Sequence, residues 1–257
     1  MKIYQYDDFP DLLIKFSTER RFLQDLADGK VYMNESGYFR QLEDGFRGDK
    51  YDGKCPITMN SPDWYIEIGP VDNSSEKIRI SYDQIKDFSV GFANDDKIPL
   101  FCCSEFSEEI LTKPVNNVLY FKDEFISEMK QFGDHYIVFY KYDLIQKMYD
   151  YVIENGFGWK TDRVKYKDIK LVYNETIFEN RNRNIYDPFF VKDLSYKWQN
   201  EWRILLKPPA NPIIGDNENH HVAQIPPLQW YHIGKVEELQ KNAVTVFVDD
   251  EVNNDQL

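Results

Sequence analysis

FFVKDLSYKWQNEWRILL, residues 189–206, decides how this chain is read. Lys192 stands alone in a loop-like segment, Trp198 and Trp202 flank Glu201, and Arg203 lies inside the apolar run WRILL. An apolar run of this length, entered through one carboxylate, is the pattern of a strand running into an interior. Successive strand residues point to opposite faces, so Glu201 and Arg203 share one face while Trp202 and Ile204 take the other. An unpaired carboxylate there would be costly, so the pair either satisfies itself or faces a cleft. Two roles follow for Glu201. It is a structural ion-pair partner of Arg203, or a catalytic carboxylate aimed at a substrate hydroxyl or a developing cation, with Arg203 beside it.

Working outward, strands dominate. HYIVFYKY (135–142), IPLFCCS (98–104), KVYMN (30–34) and the late runs HHVAQI, WYHIG and AVTVFV all read as strands. Further short strands are expected at 164–166 and 170–173. WYIEIG and KIRIS, separated by VDNSS, suit a hairpin. Helices are expected from a Thr18 cap through Ala27, over 122–132, and from an Asp143 cap through Glu154, with Gly29, Gly133 and Gly156 as stops. The first of these places Phe22, Leu23 and Leu26 on one face, and 36–40 reads as chain turning outward. Helices and strands do not alternate regularly. The expectation is one α+β domain over 1–257, with a mixed or largely antiparallel twisted sheet, a few flanking helices and a frayed acidic tail at 249–257.

The 257 residues suffice for a core without staples, and an aromatic content of 16% says that the core is built largely from rings. No apolar run approaches the ~20 residues of a membrane span, and MKIYQYDDFP lacks the basic-then-apolar pattern of a signal peptide. Three cysteines, two adjacent at Cys102 and Cys103, fit neither a disulfide framework nor a CxxC metal site, which points to reducing cytoplasm. The net charge of −13 disfavours broad binding to nucleic-acid phosphates. It suits a small-molecule enzyme, or an acidic protein docking on a basic partner.

A second constellation is SGYFRQLEDGFRGDKYDG (36–53). Its glycines permit sharp turns, Arg40 and Arg47 offer cations for a phosphate, and Asp49 is among the carboxylates that could orient a ribose hydroxyl. It is not a P-loop, because GxxxxGK with Ser or Thr is missing. A charged, self-paired surface loop is the other reading. His220–His221 has no spaced Cys or carboxylate partner, so no metal site is assigned. GxSxG, HExxH and kinase motifs are absent.

The order FLQDLADGKVYMN (22–34), YFR then RGDKYDG (38–53), FGDHYIVF (132–139) and KDLSYKWQNEWRI (192–204) resembles a widespread group of bacterial and phage proteins of undefined function. RGDK stands here where that group has Asp-Pro. The layout is more distantly similar to ADP-ribosyltransferases, which split NAD in a cleft between two small sheets. That resemblance implies NAD as substrate with no required cofactor and Glu201 as catalytic carboxylate at the start of a late strand. It further implies Arg40 or Arg47 as the early basic residue and Tyr38 or Phe39 as a nicotinamide stacker. Lys192 and Trp198 would complete the binding surface. The alternative is a non-enzymatic, phage- or mobile-element-encoded acidic protein that blocks a basic nucleic-acid-binding partner.

Overall fold

The computed structural model describes residues 9–42, 48–57, 63, 65–70, 76–81, 84, 88–90, 93–113, 118–168, 186–207, 220–240 and 244–245. Arg47, the strand expected at 170–173 and the tail from 249 lie outside these residues. The chain opens with β1 (Leu12–Ser17), α1 (Arg20–Ala27), β2 (Lys30–Glu35) and α2 (Ser36–Gln41). Then come β3 (Cys55–Ile57), β4 (Tyr65–Ile68), β5 (Ile78–Ser81), β6 (Phe88–Val90), β7 (Pro99–Glu105) and β8 (Val118–Leu119). α3 (Asp123–Met129), β9 (His135–Tyr140), α4 (Lys141–Asn155), β10 (Gly158–Arg163) and β11 (Lys165–Lys167) form the middle. β12 (Val191–Asp193), β13 (Glu201–Lys207), β14 (His220–Gln224), β15 (Tyr231–Lys235), α5 (Val236–Leu239) and β16 (Val244–Thr245) complete it.

The main sheet runs β10-β13-β7-β1-β9-β15, with every neighbour antiparallel. Small two-stranded pairs surround it, including the β4–β5 hairpin and a parallel β11–β12 pair. The fold is therefore α+β with a mainly antiparallel sheet. β9 is largely an apolar run, and β1 is one interrupted by Lys15, because both their faces are covered. Leu13, Ile137 and Phe139 pack with α1 and α4, while Ile14, Phe16 and Val138 pack with Phe125, Ile126 and Met129 of α3.

One irregularity of this sheet makes a cleft. β1 and β2 both pair with the same edge of β7, at opposite ends. β1 takes Ser104 and Glu105, and β2 takes Leu100 and Pro99. Neither pairs with the residues between, so the sheet forks there, with α1 bridging the two prongs. β14 extends the β2 prong. A backbone carbonyl exposed by such a split needs another donor. Lys15 supplies it, placing Nζ 2.7 Å from the Cys102 carbonyl oxygen and 4.6 Å from the Phe101 ring centre.

Several local expectations are corrected. Residues 36–41 are a helix, with Ser36 held by its hydroxyl on the Asp95 carbonyl. α1 starts at Arg20 without a Thr18 side-chain cap, and its Phe22 is 51% exposed, not part of the core. α4 starts at Lys141; Asp143 lies in its first turn, where it accepts from Lys147 and from the Gln229 backbone N–H. Gly29 stops α1 as expected: at φ +94° a Cβ would sit 2.0 Å from the Ile225 carbonyl oxygen.

Candidate active site

A cavity of about 650 Å³ occupies the fork. Ile14 to Ser17 of β1 and Lys30, Tyr32 and Asn34 of β2 form its two walls, and α1 closes one side through Phe22, Leu23 and Leu26. Residues from both faces of β7, Phe101 and Cys103 on one and Cys102 and Ser104 on the other, lie along it. Lys192, Gln199, Glu201 and Arg203 make its charged end. A mostly apolar concavity of this size with a few convergent polar groups is the usual form of a small-molecule site.

The charged end is built from four stretches. β13 contributes Glu201 and Arg203, which share a face as the alternation requires, and that face carries Cys102 and Ser104 of the paired β7. Arg203 is 1% exposed. Its Nε donates to Glu201 Oε1 at 2.6 Å, and Nη1 and Nη2 donate to the two Asp52 oxygens at 2.8 and 2.9 Å. Nη1 also donates to the Phe189 carbonyl. The bidentate fork fixes the guanidinium plane. Lys192 of β12 is buried, 2.9 Å from Glu201 Oε2, but its hydrogen bond goes to Gln199 Oε1 at 2.8 Å. Glu201 Oε2 thus has the Lys192 ammonium as its ion-pair partner, the Cys102 thiol lies within reach of the same carboxylate, and Glu201 lines the cavity. The Glu201 backbone N–H donates to the Tyr166 hydroxyl of β11 at 2.8 Å.

Asp52 reaches Arg203 because the 48–54 turn is tightly held. Asp49 Oδ1 accepts the Tyr51 N–H at 2.9 Å, and the Asp52 N–H donates to the Asp49 carbonyl at 3.0 Å. The Tyr196 hydroxyl donates to the Gly48 carbonyl at 2.7 Å. Gly53 adopts φ +70°, and its missing Cβ makes room for Phe189, whose ring would lie 2.2 Å away.

Burial alone would raise the Glu201 carboxyl, but the charges of Arg203 and Lys192 overcome it and hold it well below the usual carboxylate range. Glu201 is therefore a fixed anion, unsuited to taking up a proton near neutral pH and suited to accepting a hydroxyl hydrogen bond or stabilising a nearby cation. Burial, then the charge of Asp52, pushes Asp49 up to about 6. Burial raises the Cys102 and Cys103 thiols well above their ordinary values, so neither is a ready nucleophile.

The expected residues separate into groups. Glu201, Arg203, Lys192 and Asp49 converge at the charged end; only Asp49 does not line the cavity. Arg203 has its donors occupied by protein, so it positions Glu201. Tyr38 lines the cavity and is 37% exposed, next to Phe39 in an edge-on contact of 5.7 Å. Arg40 does not line it: its guanidinium binds the Asp52 carbonyl and Asp96, tying α2 to the turn. Trp198 packs on Phe132 at 6.0 Å and supports the wall through that ring. Arg47 lies outside the described residues.

The site also includes residues that the sequence reading passed over. Lys15 is a cation on β1 with no carboxylate in ion-pair range among the described residues. Phe22 and Tyr32 are exposed rings lining the cavity, Tyr32 stacked on His220 at 4.6 Å. A lone Lys in the apolar run LLIKFS carried the same signal as Glu201 in its strand. Among the described residues no group of three or more His, Cys, Asp or Glu side chains could hold a metal ion, and no helix is long and apolar enough to cross a membrane. No protein-family model, curated protein or solved structure matches the chain.

Proposed function

We propose that the fork binds a nucleotide and that its C–N glycosidic bond is cleaved at Glu201, NAD being the candidate substrate. The observation that carries this reading is the Glu201 carboxylate: buried and ionised at the end of a ring-lined cavity, with one oxygen fixed by Arg203 and the other facing the Lys192 ammonium at 2.9 Å. In that place it accepts a hydrogen bond from a ribose hydroxyl. As the bond breaks, its electron pair leaves with the ring as neutral nicotinamide, and the ribosyl carbon becomes an oxocarbenium ion that the fixed carboxylate stabilises. Water or another nucleophile adds to that carbon and loses a proton. Phe22, Tyr32 and Tyr38 offer faces for planar rings, and Lys15 is the cation available to a phosphate. Lys15 thus takes the early-strand position for which Arg40 and Arg47 were candidates. The cleft here lies between two prongs of one sheet, where the ADP-ribosyltransferase resemblance implies two small sheets.

The test is thermal stabilisation by NAD, compared between wild type and Lys15→Ala. The reading expects stabilisation of the wild type that is weakened in the variant and absent with neutral nicotinamide riboside analogues lacking phosphate. No stabilisation of the wild type at millimolar NAD counts against it.

A second reading has one observation in its favour. Tyr142, Tyr149 and Ile153 form an exposed stripe on α4, next to exposed Asp150 and Glu154. With a net charge of −13, such a face suits a partner whose contact surface is apolar with a basic rim.

A further inference from the structure

The ion cluster behind Glu201 holds three carboxylates and two cations. Arg203 is divided between Asp52 and Glu201, and Lys192 stands against Glu201 while donating to Gln199. Asp49, 3% exposed, is the carboxylate left over. Its Oδ1 accepts the Tyr51 N–H, and its Oδ2 has no hydrogen-bond partner among the described residues. A buried anion so placed is unfavourable unless it takes a proton or gains a cation.

We infer that in mildly acidic solution Asp49 carries the proton that balances this cluster, and that it releases the proton when a cationic group occupies the Glu201 end of the cavity. With Asp49 neutral, Asp52 and Glu201 face Arg203 and Lys192, two charges against two. A ligand cation at Glu201 adds a third positive charge, and ionised Asp49 matches it. Asp49 would then be a positioning residue that acts through Lys192, leaving that ammonium with Glu201 at rest and drawing it back when the site fills. Identifying the cation as the pyridinium ring of NAD, or the oxocarbenium ion derived from it, rests on the function proposed above; the proton on Asp49 does not.

The groups facing Asp49 come from several elements. Asp52 and Tyr51 share its turn, and Lys192 approaches from β12 and Arg203 from β13. Glu201, beside Lys192, is bordered by Tyr166 of β11 and Cys102 of β7. Arg40 of α2 holds the Asp52 carbonyl. Asp52 opposes ionisation of Asp49, and Lys192 and Arg203 favour it. Burial and Asp52 prevail, which places the Asp49 midpoint near 6.

Carboxyl-labelled protein titrated by carbon-13 NMR tests this without turnover. The wild type is expected to show an aspartate titrating near pH 6 that is lost in Asp49→Asn. In Glu201→Gln, Lys192 becomes available to Asp49, and the midpoint moves toward the ordinary aspartate range. Excess 1-methylnicotinamide, a permanent pyridinium cation, lowers the wild-type midpoint by about one unit, the size expected for an opposite charge introduced nearby. Neutral nicotinamide leaves it in place. An ordinary Asp49 titration overturns the inference. An elevated midpoint unchanged in Glu201→Gln reduces it to burial alone, and no response to 1-methylnicotinamide overturns the cation linkage. Failure of NAD turnover would instead remove the proposed function and leave the titration result standing.

Discussion

The Arg203 guanidinium grips the Asp52 carboxylate through two hydrogen bonds of 2.8 and 2.9 Å, although the residues are 151 positions apart in the chain. Both are 1% exposed. The pair joins the early DKYDG turn to the late strand and fixes the direction in which Glu201 points. Removing Asp52 leaves Arg203 and Lys192 to share Glu201, one buried cation in excess, and removing Arg203 leaves Asp52 as a buried, uncompensated charge. Asp52→Ala is therefore expected to cost about 3–5 kcal/mol in urea unfolding. Arg203→Met combined with Asp52→Leu should recover much of that loss, because both buried charges go together. A loss under about 1 kcal/mol for Asp52→Ala would show that the pair does not hold the site.

Gly53 sets the same geometry from the backbone. At φ +70°, with Phe189 where a Cβ would stand, Gly53→Ala is strained twice over. The expected loss is on the order of 1–3 kcal/mol, accompanied by weaker ligand binding because Asp52 shifts. Asn at this position tolerates the backbone but not the ring, so it should be nearly as damaging. Wild-type stability in Gly53→Ala, measured by thermal melting, would contradict the packing described.

The rim aromatics should separate binding from stability. Phe22 is already 51% exposed, so Phe22→Ala removes little folding energy and should change stability by less than about 0.5 kcal/mol. Loss of a stacking face costs about 1–3 kcal/mol in ligand affinity. Tyr38→Ala should behave in the same way. Equal losses in binding and in melting temperature would mean that these rings serve the fold.

Asp49 and Glu201 give opposite pH dependences of stability. Folding raises the Asp49 midpoint to about 6, so the native state binds this proton more tightly than the unfolded chain does. Its contribution is therefore most favourable in acid and declines as pH rises from about 4 to about 6, by about 3 kcal/mol at most. Asp49→Asn removes that decline. Glu201 is held below the usual carboxylate range, so its contribution is present at neutral pH and is lost as pH falls below about 4. Urea unfolding of wild type and Asp49→Asn at pH 4.5 and 7 checks the first sign. A variant with the same pH slope as wild type would contradict it.

How much of this was legible in the sequence depends on the range of the interaction. Alternation in EWRILL placed Glu201 and Arg203 on one face, which β13 shows. β9, the β4–β5 hairpin and β7 were legible for the same local reason. The Asp52 partner of Arg203 was not, because no local rule links positions 151 residues apart. The fork was hidden as well: IPLFCCS has the composition of a strand paired along its whole length, and the split depends on where β1 and β2 meet it. Polar GWKTDR gave no strand signal, and it forms the sheet edge as β10 only because β13 offers it a partner. Arg40 was read as a ligand for phosphate since its occupation by Asp96 and the Asp52 carbonyl is a tertiary event.

The most direct measurement is nicotinamide release from NAD by wild type and Glu201→Gln, assayed side by side. The account predicts release by the wild type and a fall of at least about 100-fold in the variant, the scale expected when a preorganised transition-state charge is removed. Glu201→Gln also takes a carboxylate from the buried Lys192 and should melt below wild type, so release is compared at a temperature where both proteins are folded; Arg203 keeps Asp52 and the Phe189 carbonyl in the variant. Equal release by both proteins would remove Glu201 from the chemistry. No release by the wild type, despite a folded protein, would contradict the proposed reaction and shift attention to the α4 face and a basic partner.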